Sequence, residues 1–221
     1  MFIDRSGKFI YLLGSLLVLL IAGAFVQHTD LGNVIFNVML SVTLLASIYA
    51  ISQDRRFVVV GILMASLTFL SAWFAQLSAS TIPALASAFL GFIYFLYAAI
   101  VILVHIFRST VITVDELLAS VSTYLLLGIG GGFVFRFLEL LNPGALVSTS
   151  SVAPEISPVS PMSAYIYYSF TCLTTLGFGD IVPATPEARA FSYLAAVTGQ
   201  VFLTVLIARF VGLHIVQSGR R

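Results

Sequence analysis

Residues 165–183 read YIYYSFTCLTTLGFGDIVP, and this stretch decides how the rest of the 221-residue chain is read. It follows Ser160-Pro161-Met162-Ser163, a helix-start signal in which either serine is placed to cap. The apolar piece 164–173 has about ten residues, too few for a helix to cross a bilayer, and fits a re-entrant helix. After it come Thr174, Thr175, Leu176, Gly177, Phe178, Gly179 and Asp180. A path for a dehydrated cation must replace the ion's water with oxygen, and consecutive backbone carbonyls facing one axis do this. Successive carbonyls face the same way only where the backbone alternates between opposite-handed conformations. Glycine takes the left-handed ones at no steric cost. Gly177 and Gly179, two apart, meet that demand, and Thr175 adds a hydroxyl oxygen at the inner end. The short helix aims the negative end of its dipole at the cation. Non-helical backbone at this depth is tolerated only around a water- or ion-filled path.

Composition sets the surroundings. Apolar residues make up 60% of the chain and charged residues 9%, against roughly 25% charged in a soluble domain. Such a chain cannot clothe itself in a solvated surface, so an integral membrane protein is expected. Hydropathy gives six candidate spans, at 9–26, 31–51, 57–77, 82–107, 117–140 and 188–216. Each is long enough to cross roughly 30 Å of hydrocarbon at about 1.5 Å per residue. The first follows Arg5 and Lys8 and ends near Ala22-Gly23-Ala24, as a signal peptide would. Its apolar run exceeds the usual ~7–15 residues of such a peptide, so it is read as an uncleaved span.

Basic residues set the orientation. Arg5, Lys8, Arg55, Arg56, Arg108, Arg220 and Arg221 fall on one side of a six-span chain, and the opposite loops around 27–30 and 78–81 have no Lys or Arg. Both termini are therefore expected in the cytoplasm, with the connection after the fifth span outside. That connection, 142–161, carries Pro143, Pro154, Pro158 and Pro161 among serines and is expected to be an exposed loop. The expected organisation is a four-span bundle over 1–110 and a second unit over 111–221. The second unit holds an outer helix, the external loop, the re-entrant helix, the glycine motif and an inner helix. With the last span ending near 216, no soluble regulatory domain is expected within this sequence.

The motif and its setting resemble the potassium channel family, and more narrowly its bacterial six-span members. The family pattern is T-x-G-Y/F-G-D after a short pore helix, and Thr175, Gly177, Phe178, Gly179 and Asp180 occupy its positions. Gly199 sits where the family has an inner-helix hinge glycine, and 124–128 and 206–212 look like the family's outer and inner spans. The likeness covers about 115–212 and is weak over the first four spans. It implies an all-α membrane protein with a re-entrant pore helix and filter between the fifth and sixth of six transmembrane helices. It further implies a homotetramer around a central pore that conducts K+ passively across a bacterial plasma membrane, with no cofactor beyond the permeant ion. The resemblance assigns ion binding to Thr175, Leu176, Gly177, Phe178 and Gly179, with K+ held at the first four. It assigns filter support to Thr174, Asp180, Tyr167, Tyr168 and Thr171, and the gating hinge to Gly199. Leu176 replaces the commoner valine or isoleucine. Phe178 lacks the hydroxyl by which the family's tyrosine is braced, and Thr171 stands where several members pair a glutamate with the filter aspartate. Tyr167 and Tyr168 offer hydroxyls to brace Asp180 or the filter backbone instead. A potassium-selective but less rigid filter, prone to inactivate, is expected.

A voltage sensor needs several basic residues at every third position of one span, since each charge contributes about 2.3 kcal/mol per 100 mV. The fourth span has none, only His105 near its end and Arg108 beyond it, so little intrinsic voltage dependence is expected. Small residues recur instead, at Ala46, Ala65, Ala72, Ala88 and Gly91 among others, and suit close helix packing beside the pore. Gly128, Gly130, Gly131 and Gly132 lie inside an apolar helix without a Lys, so they read as a packing or bending surface rather than a phosphate loop. Arg209 is expected to snorkel or to pair with Asp115 or Glu116. Arg136 and Glu139, i and i+3, are expected to pair. Glu187 and Arg189 fit a solvated external rim, Cys172 a packing position and Trp73 an interfacial belt. The spans lack interior His, Asp or Glu clusters, which argues against an enzyme or transporter, and a net charge of +1 gives no pointer to nucleic acid. A weakly selective cation channel, or a voltage-gated-like channel with a degenerate sensor, is the alternative reading. No regulatory ligand is indicated.

Overall fold

Gly23, Gly61 and Gly91 lie where helices meet. The computed structural model describes residues 7–26, 30–51, 55–78, 80–110, 112–149, 156–158 and 160–218. Arg5, Pro154, Arg220 and Arg221, named above, lie outside them. In chain order the elements are α1 (Lys8–Val26), α2 (Asp30–Ile51), α3 (Arg55–Leu77), α4 (Thr81–Arg108), α5 (Val114–Leu141), β1 (Leu146–Ser148), α6 (Met162–Leu173), β2 (Ile181–Pro183) and α7 (Pro186–Ser218). Five helices, α2 to α5 and α7, are long and apolar enough to cross a membrane. α1 has 19 residues, and its stretch Lys8–Gly23 counts as a shorter apolar helix.

Packing within this bundle is the inverse of a soluble one. α3 buries Gly61, Ala65 and Thr68, while Val59, Leu63, Leu70 and Phe74 point outward. In lipid the apolar side chains need no cover, and helices associate through small residues that let backbones approach. Gly91 of α4 shows the same logic, because a Cβ there would run into the ring of Phe133 on α5. That ring stacks on Phe95 at 5.5 Å. Polar bonds tie α4 to its other neighbours. The Tyr94 hydroxyl donates to the Leu44 carbonyl at 3.0 Å and meets the Ser47 hydroxyl on α2. Thr68 of α3 reaches the Leu90 carbonyl at 3.3 Å, and Tyr97 donates to the Phe57 carbonyl at 2.7 Å. α1 lays one stripe, Phe9, Leu12, Leu16 and Leu19, into the core, and Phe9 stacks on His105 at 5.8 Å.

The glycines of α5 form the seat of α6. A Cβ at Gly128 would strike the Phe170 ring, one at Gly131 the Ser169 hydroxyl, and one at Gly132 the backbone of Ile166. Positions 128, 131 and 132 on one helix thus oppose 170, 169 and 166 on the other. Two expectations are corrected at the start of α6. It begins at Met162 rather than 164, and its N-cap residue is Pro161 rather than a serine. Ser160 instead accepts the Ser157 N–H at 2.9 Å.

The described part of the 142–161 connection departs from an exposed loop. β1 pairs antiparallel with β2, which follows the glycine motif, in the register Leu146↔Pro183, Val147↔Val182 and Ser148↔Ile181. Ala145 and Leu146 are buried, and the Ala184 N–H donates to the Ala145 carbonyl at 2.8 Å. Glu139 explains why the chain turns here. It is wholly buried, and its carboxylate accepts the N–H groups of Gly144 at 2.8 Å and Leu146 at 3.0 Å. The expected pairing of Glu139 with Arg136 is therefore replaced by bonds from backbone N–H groups of the turn and strand that follow α5. Glu139→Ala leaves two donors without their acceptor, each costing about 1–3 kcal/mol where buried. Thermal unfolding of the detergent-solubilised chain is expected to show that loss, and an unchanged midpoint would contradict the anchoring role.

Arg209 is also corrected. It does not pair with Asp115 or Glu116. Its Nη2 donates to the carbonyls of Ile106 at 3.1 Å, Phe107 at 2.7 Å and Ser109 at 2.7 Å, at the end of α4. Its guanidinium also lies over the Phe107 ring at 4.9 Å. The C-terminal carbonyls of a helix carry partial negative charge and lack intrahelical donors, so they receive a cation. Glu116 is occupied elsewhere, accepting from the Thr113 N–H at 3.0 Å, the Thr113 hydroxyl, and the Ser109 hydroxyl at 3.1 Å.

Candidate functional site

The glycine motif leaves α6 through a sequence of backbone bonds that consume the helix's last free carbonyls. Thr174 N–H donates to Phe170 at 2.9 Å and Thr175 N–H to Cys172 at 2.9 Å. Leu176 N–H at 2.9 Å and Gly177 N–H at 3.2 Å both donate to the Thr171 carbonyl. Beyond that point the handedness alternates. Thr175 has φ 57°, Gly177 φ 57° and Gly179 φ 78°. The two glycines occupy the left-handed positions for which glycine has no penalty. Thr175, expected as an ion-binding residue through its hydroxyl, extends the alternation to a position for which the sequence predicts no left-handed backbone. A β-branched residue at positive φ is a genuine outlier, costing about 1–3 kcal/mol, and such strain clusters at functional sites. Two bonds hold it: its hydroxyl donates to the Thr174 carbonyl at 2.6 Å and accepts from the Gln200 amide of α7 at 3.1 Å.

The outer end of the motif is held from two sides. Thr149, just past β1, donates its N–H to the Asp180 carbonyl at 2.9 Å and its hydroxyl to the Gly179 carbonyl at 2.5 Å. The Asp180 carboxylate accepts the Ile181 N–H at 3.0 Å on one oxygen and the Tyr167 hydroxyl at 2.7 Å on the other. The Tyr167 ring lies nearly parallel to Phe178, at 6.4 Å and 9°. Tyr168 takes a different direction, meeting the Ser192 hydroxyl of α7 at 2.7 Å and packing edge-on against Phe135 at 4.7 Å. Thr171 is buried and bonds the Tyr168 carbonyl at 2.8 Å. Its contribution to the motif is the carbonyl that receives two N–H groups, a role its side chain does not announce.

α7 runs unbroken through Gly199, whose absent side chain leaves room for the Leu173 carbonyl oxygen. That oxygen also accepts the Tyr124 hydroxyl of α5 at 3.3 Å. In this conformation the glycine serves close approach of α6 and α7 rather than a bend. Thr149, Gln200, Ser192 and Tyr124 were not singled out as site residues. Gln200 carried a signal, being a side-chain amide inside a long apolar helix, where polar groups tend to be functional. Thr149 carried none, because its role depends on the β1–β2 pairing.

Residues 174–179 are all exposed on the single chain, with Leu176 57% and Phe178 64% accessible. Much of α7 beside them, including Leu194, Val197, Val201 and Ile207, is exposed as well. Among the described residues no group of His, Cys, Asp and Glu could hold a metal ion. What the motif presents is a short run of non-helical backbone with alternating handedness, braced at both ends and open on one side.

Comparison with known proteins fits this geometry. Residues 92–214 match a family profile described as ion channel. A stretch of 54 residues is 37% identical to two pore potassium channel c of Oryza sativa subsp. japonica, covering 24% of this chain and 12% of that protein. The chain thus matches only a small part of that relative's length. No solved structure matches.

Proposed function

The chain belongs to the ion-channel family, and from that premise we propose that residues 174–180 are the selectivity filter of a potassium channel assembled from four copies. The observation that carries this is the left-handed backbone at 175, 177 and 179. It is the condition under which successive carbonyls turn to one axis and replace the hydration shell of a dehydrated K+. K+ is held at Thr175, Leu176, Gly177 and Phe178, with Gly179 completing the lining. Thr174, Thr171, Tyr167, Tyr168 and Asp180 support it. The partial identity to a plant potassium channel favours K+ as the ion.

Assembly follows from exposure. A membrane tolerates non-helical backbone only where protein or a water-filled path surrounds it. Residues 174–179 lack that cover in one chain, and four loops around an axis supply it. The full reading is six spans, with α1 as the first and α6 re-entrant. Both termini lie in the cytoplasm, the 142–161 connection lies outside, and the site is a bacterial plasma membrane. Gly199 remains the proposed hinge in a second, open conformation. Potassium flux into liposomes carrying this chain alone tests the proposal, and vesicles no leakier than empty ones would overturn it.

Two further outcomes are expected. The Phe178 ring is held by stacking on Tyr167 rather than by a hydroxyl, so the filter is less rigid than one with a bonded tyrosine. Phe178→Tyr is expected to slow current decay severalfold during sustained recording, and identical decay would remove the idea. α4 carries basic residues in its last turn only, His105 and Arg108. Conductance of the pure chain in a bilayer is therefore expected to vary weakly with voltage, and a steep conductance–voltage curve would contradict this. A weakly selective cation pore is the second reading, favoured by the exposed, unbonded Phe178 side chain.

A further inference from the structure

Arg136 stands outside the filter and its braces. It lies on α5 one turn beyond Gly132 and lines a cavity of about 620 Å³ walled by α2, α3, α4, α5 and the start of α6. The cavity is polar although most of its helices are apolar. Asn33 and Asn37 of α2, Gln76 of α3 and Ser160 line it together with Arg136, and the Asn37 amide donates to Gln76.

The guanidinium lacks a suitable partner. Its Nη1 contact is the Met162 sulfur at 3.9 Å, and its Nε is shut from solvent with no acceptor. Glu139, one turn on, is already taken by two backbone N–H groups. Among the described residues no oxygen accepts a hydrogen bond from Arg136, and Tyr165 is its electrostatic neighbour. A charged group in a membrane helix is a functional candidate by default. A guanidinium's planar fork matches the paired oxygens of a phosphate. The N-terminus of α6, a 12-residue helix without a side-chain cap, opens on the same cavity at Pro161 and Met162. It brings the positive end of the helix dipole to the same place. Asn33, Gln76 and Ser160, which line the same cavity, offer further donors for the remaining oxygens.

We propose that this cavity binds a phosphate group, with Arg136 as its charged anchor. Two sources offer that chemistry, the headgroup of an anionic phospholipid and free inorganic phosphate. The lipid is the expected one, because two walls belong to α2 and α3, whose outer faces are apolar.

The test uses the full chain purified in detergent and titrated separately with short-chain phosphatidylglycerol, with diacylglycerol of the same chain length, and with inorganic phosphate. Native mass spectrometry and calorimetry count the bound molecules. One phosphatidylglycerol per chain is expected to bind saturably and diacylglycerol is not. Arg136→Gln is expected to weaken binding about tenfold or more and Arg136→Lys to retain part of it. Gln76→Leu, on α3, is expected to weaken it by a smaller factor and carries the test if Arg136→Gln does not fold. Inorganic phosphate that saturates the cavity as tightly as the lipid assigns the free ion and supports the phosphate site. Diacylglycerol bound as well as phosphatidylglycerol overturns the proposal. So does wild-type protein that takes up neither phosphate compound, or binding unchanged in the Arg136 and Gln76 variants.

Discussion

Gly179→Ala is expected to abolish potassium conduction while leaving membrane insertion and helix content as in the parent chain. Gly179 has φ 78° and no atom within 4 Å of where a Cβ would stand. Within one chain the substitution therefore meets no steric obstacle, and its effect there lies in the backbone. An L-residue in the left-handed region costs about 1–2 kcal/mol. Four chains share one axis in the proposed assembly, so the penalty becomes roughly 4–8 kcal/mol per pore. The cheaper solution is for residue 179 to flip to negative φ. That turns its carbonyl away and breaks the bond from Thr149, the clamp on the outer end. Gly177→Ala, at φ 57° and equally open space, is expected to act in the same way. The check is single-channel recording beside circular dichroism of the same preparation. Normal unitary current through Gly179→Ala would mean that the left-handed alternation is not what conducts.

Gly199→Ala is expected to fail for the opposite reason. Gly199 sits inside a continuous helix, so alanine suits its backbone. The space a Cβ needs is filled by the Leu173 carbonyl oxygen, with its carbon beside it. Backbone at the end of α6 cannot rotate aside as a flexible side chain would. Overpacking costs about 1–3 kcal/mol where neighbours can shift, and here the shift must carry the start of the filter with it. Thermal unfolding is expected to move down and conduction to be lost together. A glycine acting only as a hinge gives a different result, altered opening kinetics with unchanged stability. Measuring both quantities on one variant separates the two roles.

The sequence made some of this legible for definite physical reasons. Spans could be read because burial in lipid demands long apolar runs. Gly177 and Gly179 could be read because few residues tolerate positive φ. Thr175 escaped for the same reason, since no propensity argument places a β-branched residue there. β1 and β2 escaped because three residues each are too few to show a period of two, and Ser- and Pro-rich flanks read as loop. The misplaced pairings share one cause. Charge-to-charge reasoning matched Arg136 with Glu139 and Arg209 with the acids of α5. The fold instead gave Glu139 to the N–H groups of a turn and Arg209 to the carbonyls ending α4. In an apolar setting, unpaired backbone groups at helix ends compete for charged side chains as strongly as opposite charges do.

Those corrections bear on how the filter is held. The sequence placed its braces close by, at Tyr167, Tyr168, Thr171, Thr174 and Asp180. Tyr167 alone of these bonds Asp180 by its side chain. The other ties come from elements distant in sequence, Thr149 after β1 and Gln200 on α7. Filter geometry therefore depends on the β1–β2 pair and on the seating of α7, and through Glu139 on how α5 ends.

The most direct test of the central claim is the reversal potential of the purified chain in a planar bilayer, with potassium on one side and sodium on the other. Each tenfold preference for one univalent ion moves that potential by about 59 mV. A potassium-selective filter predicts a reversal displaced by at least about that much in the direction set by K+. A reversal near zero, or current absent from a bilayer that demonstrably holds the protein, would contradict it.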